Sequence, residues 1–182
     1  MLDIANVFTD FTRYADHETE RAVQKFLYAE ARTLDREAYA EWLENFIDTD
    51  IHYWMPDMET RRRDDKRGPF KHGESAYFDD GWKELSIRVA RYHEPSAWAD
   101  NPATRHAHII SNIEVFEMDD PNLVGVCSVF TNVRNRNETD QDVIYGRRED
   151  VLRRHGDSFK IYHRRVFIVQ NVLLSKNLNT FL

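Results

Sequence analysis

The chain has 182 residues, of which 41% are apolar, 31% charged and 13% aromatic, the composition of a globular protein and not of a disordered one. A formal net charge of −7 excludes a nucleic-acid binder that works through a positive surface, because no excess of Lys and Arg exists to neutralise phosphates. No apolar run approaches the roughly 20 residues of a membrane-spanning helix, and the N-terminus lacks a signal-peptide pattern, so a cytoplasmic protein is expected.

The length is met most simply by one domain over residues 1–182, with residues 1–16, which show no clear period, as an N-terminal arm. From His17 to Leu34 the apolar positions Val23, Phe26, Leu27, Ala31 and Leu34 follow helical spacing, and Glu18 and Glu20 suit the first turn. Asp35 is the expected N-cap of a second helix whose Tyr39, Trp42, Leu43 and Phe46 form one stripe. A short strand, Ile51 to Met55, stops at Pro56. Residues 57–78 read as a long charged loop, and a third helix runs from about Asp80 to Tyr92 with Trp82, Leu85 and Val89 inward. After an irregular connection come four strands, Arg105 to Glu117, Leu123 to Arg136, Val143 to Arg154 and Phe159 to Val172, broken by turns rich in Asp, Asn, Gly and Pro. Helices early and a meander of strands late predict an α+β fold with a curved, mostly antiparallel sheet wrapped against the helices.

Alternation in the last strand puts Phe159, Ile161, His163, Arg165, Phe167 and Val169 on one face and Lys160, Tyr162, Arg164, Val166, Ile168 and Gln170 on the other. Both faces are apolar near residues 166–169, which calls for helices over one and another sheet or subunit over the other. Phe181 and Leu182 read as docked. His106 and His108 share a strand face with Asn112 and Glu114, opposite the apolar Ala107, Ile109, Ile113 and Val115, so the histidines mark the polar side of a half-buried strand rather than a metal pair. Acid–base chemistry in a pocket would draw on Asp50, His52, Tyr53, His93 or His106, though no spacing ties these together. Cys127, the single cysteine, lies in an apolar run, and one thiolate cannot hold an iron–sulfur cluster. Arg147 with Glu149 and Arg148 with Asp150 pair on opposite faces, beside Arg164 and Arg165; such charges belong in ion pairs or at an interface.

Five blocks, in order, resemble the small (β) subunit of aromatic-ring-hydroxylating dioxygenases, most of all the biphenyl and polycyclic-aromatic group. They are Phe26 to Asp35 with Trp42-Leu43, His52 to Pro56, Trp98 to His106 with Ile110 to Ile113, Gly146 to Arg154, and Ser175 to Leu182. The resemblance implies a cone-shaped fold like nuclear transport factor 2, ketosteroid isomerase and scytalone dehydratase. It also implies three small subunits packed with three large (α) ones, the large subunit carrying the Rieske iron–sulfur cluster and the mononuclear iron. No catalytic, cofactor-binding or metal-binding residue carries over to this chain. Its expected role is assembly, with Trp98, Arg105, His106, Arg148, Arg164, Arg165, Phe181 and Leu182 as the candidate subunit interface. The alternative is a stand-alone dehydratase or isomerase of the same cone fold.

Overall fold

Asp16 starts the first helix, α1 (His17–Asp35), by accepting the Thr19 N–H at 2.7 Å, with Glu18 and Glu20 in the first turn. The computed structural model in which this is seen describes residues 11–60, 62–66, 73, 75–92, 94, 103–170, 173, 175, 178 and 180–182. Val23, Leu27 and Leu34 of α1 are buried, and so is one charged residue of the same face, Glu30. α1 extends through Asp35, so Asp35 does not cap the second helix as expected. Glu37 takes a positive φ of 54° at the turn, and α2 (Tyr39–Phe46) follows Ala38 with no side-chain cap.

The chain continues as β1 (Ile47–Pro56), β2 (Ala76–Asp80), α3 (Trp82–Arg91), β3 (Arg105–Glu117), β4 (Leu123–Arg136), β5 (Asp140–His155) and β6 (Ser158–Ile168). β1 begins four residues before the expected Ile51 and so takes in Asp48 to Asp50. β2 lies inside the expected loop and pairs antiparallel with β1. Five residues ending in two aspartates carry too little pattern to announce a strand; here Asp80 is held by the Arg88 guanidinium of α3 at 2.5 Å. One six-stranded sheet results, in the order β2-β1-β6-β5-β4-β3, with only β1 and β6 parallel. Its concave side wraps the helices and encloses Leu27, Trp42, Ile47, Val126 and Ile161, which is the expected α+β cone.

Two bulges decide which residues face the helices. In β3 the register shifts between Ser111 and Glu114, where Asn112 has φ 49°, so residues before and after the bulge obey opposite parities. His106, His108 and Ile110 therefore face the interior together with Val115, while Ala107 and Ile109 face solvent, which reverses the expected polar side of this strand. In β6 the register slips between Val151 and Leu152 of its partner, opposite Tyr162, and this brings Ile161 onto the same face as Arg164 and Val166. The described part of the arm shields the edge of the sheet: Ala15 N–H donates to the Val115 oxygen at 2.9 Å and Glu117 N–H to the Arg13 oxygen at 2.8 Å. Residues 1–10 of the expected arm, and 171 and 172 of the expected last strand, lie outside the described residues.

Two glycines sit where a side chain has no room. A Cβ on Gly125 would meet the Phe11 ring at 2.1 Å, and one on Gly146 would meet the main-chain oxygen of Phe167 at 2.1 Å. Gly125→Val is expected to expel Phe11 and expose the Ala15 and Glu117 amides to faster hydrogen exchange, with little change elsewhere. Gly146→Ala forces the β5 and β6 backbones apart and lowers the denaturant midpoint by an amount equivalent to about 1–3 kcal/mol.

Candidate functional site

The register of four strands puts Tyr53, Arg164, Asp150 and Val126 in one row on the concave face, with Arg148 and Ser128 as neighbours two residues away. Glu30 comes down on this row from α1. Arg164 forks onto both carboxylates: Nε donates to Asp150 Oδ1 at 2.8 Å, Nη1 to Glu30 Oε1 at 2.6 Å, and Nη2 to Asp150 Oδ2 at 2.9 Å and Glu30 Oε2 at 3.0 Å. Trp42 Nε1–H donates to Glu30 Oε1 at 3.0 Å, and Arg148 Nη1 lies 3.6 Å from Glu30 Oε2. Arg164 and Asp150 are 0% exposed, Glu30 1% and Arg148 2%. Two cations and two anions thus balance in the interior.

That balance sets the protonation states. Burial pushes the Glu30 carboxyl up, but Arg164 and Arg148 outweigh it and bring it down to about 2. Burial, opposed by Arg164, lifts the Tyr53 phenol to about 12. Burial works against the charge of Arg164, yet Asp150 and Glu30 more than restore it, raising its pKa well above the ordinary value. None of these three groups exchanges a proton near neutral pH.

Phe181 and Leu182 pack into the cone beside this network, at 2% and 1% exposure. The Phe181 ring stacks on Trp42 at 4.4 Å, and Tyr39, Tyr92 and Phe78 surround it. Arg164 Nη1 donates to the main-chain oxygen of Leu182 at 3.2 Å, and Tyr53 Oη accepts the Leu182 N–H at 2.8 Å and donates to the same oxygen. At the mouth of the cone, His108 Nδ1 meets Asp35 Oδ1 at 2.7 Å and Nε2 meets the Phe181 oxygen at 3.1 Å beside the Asn132 amide. Among the described residues, neither nitrogen of the neighbouring His106 ring makes a hydrogen bond, and Glu37 Oε1 lies 3.9 Å from Nε2. Burial, with His108 and Arg134 adding to it, holds His106 neutral at about 4. Among the described residues, no three His, Cys, Asp or Glu side chains are grouped so as to hold a metal ion.

The pocket residues considered from sequence are not brought together. Tyr53 points into the cone; His52 projects from the opposite face of β1 and bonds Asp79 Oδ1 at 2.7 Å; Asp50 is at the surface with Arg153 at 3.1 Å. His163, near His52, is buried with no hydrogen bond at either ring nitrogen among the described residues. Burial, then His52 and Arg153, depress it to about 4. His93 lies outside the described residues.

Most of the expected interface also turns inward. Arg148, Arg164, Phe181 and Leu182 are buried in their own chain, and the His106 side chain is 1% exposed. Their charges and rings are taken up across strands and against α1 and α2, which one-dimensional alternation cannot show. Arg105 is exposed, Arg165 is half-buried against Glu149 at 2.5 Å, and Trp98 lies outside the described residues. The second apolar face that β6 called for is the convex one, and its extent over β3 to β5 is what sequence reasoning missed. One end of it is covered by the chain, where Phe11, Met118 and Tyr162 pack on Leu123 and Val151. The other carries the rows Ile109–Thr131–Tyr145–Val169 and Ser111–Val129–Arg147–Phe167. There Ile109 is 55% exposed, Val169 68%, and Val129, Val143 and Tyr145 are exposed as well. The sequence signal was present in the apolar residues on both faces of β6, but the β3 bulge hid Ile109.

Stability follows from these protonation states. Below pH 6.5 the unfolded chain binds protons that buried His106 and His163 refuse until about pH 4, so stability falls with pH across that window, by roughly 3 kcal/mol for each histidine if fully expressed. Glu30, depressed to about 2, adds stability above pH 4.5 that is lost between 4.5 and 2. Urea unfolding from pH 8 to 3 should show both windows, and the double variant His106→Gln, His163→Gln should flatten the upper one. At pH 7, Glu30→Gln strips Arg164 and Arg148 of a counter-charge and is expected to cost about 3–5 kcal/mol.

Residues 29–175 match the family model described as ring hydroxylating beta subunit. The chain is 34% identical over 169 residues to the biphenyl 2,3-dioxygenase subunit beta of Rhodococcus jostii (strain RHA1), covering 91% of this chain and 90% of that one. It is 33% identical over 187 residues to the benzene 1,2-dioxygenase subunit beta of Pseudomonas putida, covering 100% of both. Among solved structures it is similar to naphthalene 1,2-dioxygenase with indole bound in the active site, with a TM-score of 0.86 and 27% identity over 95% of this chain and 90% of that one. A closed ionic core, a cone filled from within, an apolar outer face and these likenesses agree: the chain belongs to the family of ring-hydroxylating dioxygenase β subunits, the small subunits of multicomponent aromatic oxygenases that also have a large α subunit.

Proposed function

We propose that this chain is a non-catalytic assembly subunit of a cytoplasmic terminal oxygenase that dihydroxylates aromatic hydrocarbons to cis-dihydrodiols. It self-associates as a trimer within an α3β3 hexamer, and the Rieske cluster and mononuclear iron belong to the large subunit. The observation that carries this reading is the occupied cone: where a stand-alone dehydratase or isomerase would need room for substrate, Phe181 and Leu182 are packed at 2% and 1% exposure. A resident iron–sulfur cluster does not fit this chain, because a cluster requires at least two thiolates. The sequence has one cysteine, and burial, reinforced by Glu149 and Glu114, pushes the Cys127 thiol up to about 11.

Contacts between copies are assigned to the convex face of β3 to β6. Its two apolar rows contain Arg147 and no acidic residue, so copies that each carry a charge of −7 meet there with the least repulsion. Several exposed apolar residues on one sheet face, here Ile109, Val129, Tyr145 and Val169, are uncommon in proteins that stay monomeric. Sedimentation of the chain with the large subunit tests both parts. Tyr145→Asp and Val129→Asp are expected to give smaller particles than the wild type. His52→Gln and His106→Gln should form the full assembly and keep its turnover within a few-fold, whereas losing a general acid or base costs about 10²–10⁴. A loss of that size in an intact assembly would return the chemistry to this chain.

A further inference from the structure

Three of the groups that hold the last two residues, Arg164, Trp42 and His108, are fixed by a second partner that owes nothing to those residues. Arg164 is forked onto Asp150 and Glu30, Trp42 donates to Glu30, and His108 is backed by Asp35. The polar contacts to Phe181 and Leu182 come from side chains and not from a strand ladder. The Leu182 N–H goes to Tyr53 Oη, the Leu182 oxygen receives Tyr53 Oη and Arg164 Nη1, and the Phe181 oxygen meets His108 Nε2. The Phe181 ring fills a slot walled by Trp42, Tyr39, Tyr92 and Phe78. Side chains that are oriented in advance, converge on main-chain polar atoms and flank an aromatic slot make up a peptide site, and such preorganisation lowers the ordering cost of binding.

We infer that the cone is a peptide-binding site, occupied in cis by Phe181 and Leu182, whose ligand class is a short extended segment with an aromatic residue followed by a branched aliphatic one. Occupancy in cis carries a high effective concentration, so a free peptide does not compete in the wild type. Weakening the attached ligand opens the site to a peptide in trans.

The test uses the full chain with Phe181→Ala and the probe N-acetyl-Phe-Leu. At millimolar peptide the melting temperature of the variant is expected to rise by several degrees and to saturate, while the wild type does not respond. N-acetyl-Ala-Leu should have no effect, and adding Tyr53→Phe should weaken the response several-fold by removing two of the three hydrogen bonds to the Leu unit. If Phe181→Ala is unfolded alone, the same peptide should restore its circular dichroism. A variant that neither melts higher nor refolds with N-acetyl-Phe-Leu overturns the inference, and so does an equal response to N-acetyl-Ala-Leu. A wild type stabilised as strongly as the variant would place the peptide elsewhere and overturn it too.

Discussion

A guanidinium with no solvent exposure is tolerable only where carboxylates meet it on both sides, and the Arg164 head group imposes that condition on the whole fold. Asp150 comes from the adjacent strand and is supplied by register alone, whereas Glu30 comes from α1 and reaches Arg164 only when that helix crosses the sheet at one height and one rotation. Trp42 extends the constraint to α2 by donating to the same Glu30 carboxylate. Apolar burial contributes most of the stability of such a core, but an apolar contact tolerates sliding and rotation that a two-carboxylate fork does not. Removing one partner leaves an uncompensated buried charge, so the network holds as a unit.

The same network, with burial, moves several titratable groups of the cone away from the pH range of acid–base chemistry. A general acid or base works best with a pKa near the operating pH. Glu30 sits at about 2, Tyr53 at about 12, and His106 at about 4, all displaced from neutrality by burial and by their neighbours. The interior is committed to holding the helices and the Phe181-Leu182 segment, and the surface with free apolar area lies on the other side of the sheet. Packing inside and apolar contact area outside suit an assembly subunit.

The convex face also shows how the chain divides its own coverage. Near the β4–β5 strand ends at Leu123 and Val151, Phe11 and Tyr162 close the surface from within the chain, and the ion pairs of Glu149 with Arg165 and Arg147 form a polar belt next to it. Beyond that belt Ile109, Val129, Tyr145 and Val169 are exposed, while Phe167 is buried and Met58, Glu59 and Thr60 border the same groove. One sheet face therefore has a self-sealed half and an open half, separated by charge.

Periodicity in the sequence determined α1, the stripe of α2, the long strands of the meander and hence the α+β class, because each rests on local spacing of 3.6 or 2 residues. Residue counting alone bounded the cofactor question through the single cysteine, and five short blocks in order pointed to the family. Tertiary structure decided everything that depends on parity and distance. The bulge at Asn112 inverted the faces of β3, sending His108 to Asp35 and Ile109 to solvent, and the slip at Tyr162 aligned Ile161 with Arg164. Arg148 and Arg164 were recognisable as charges in need of partners. Their partner Glu30 lies 134 residues from Arg164 along the chain, and only folding could show that the charge is answered inside one subunit and not between two. A period of two tells which residues share a face but not which face is inside, since one inserted residue exchanges them all.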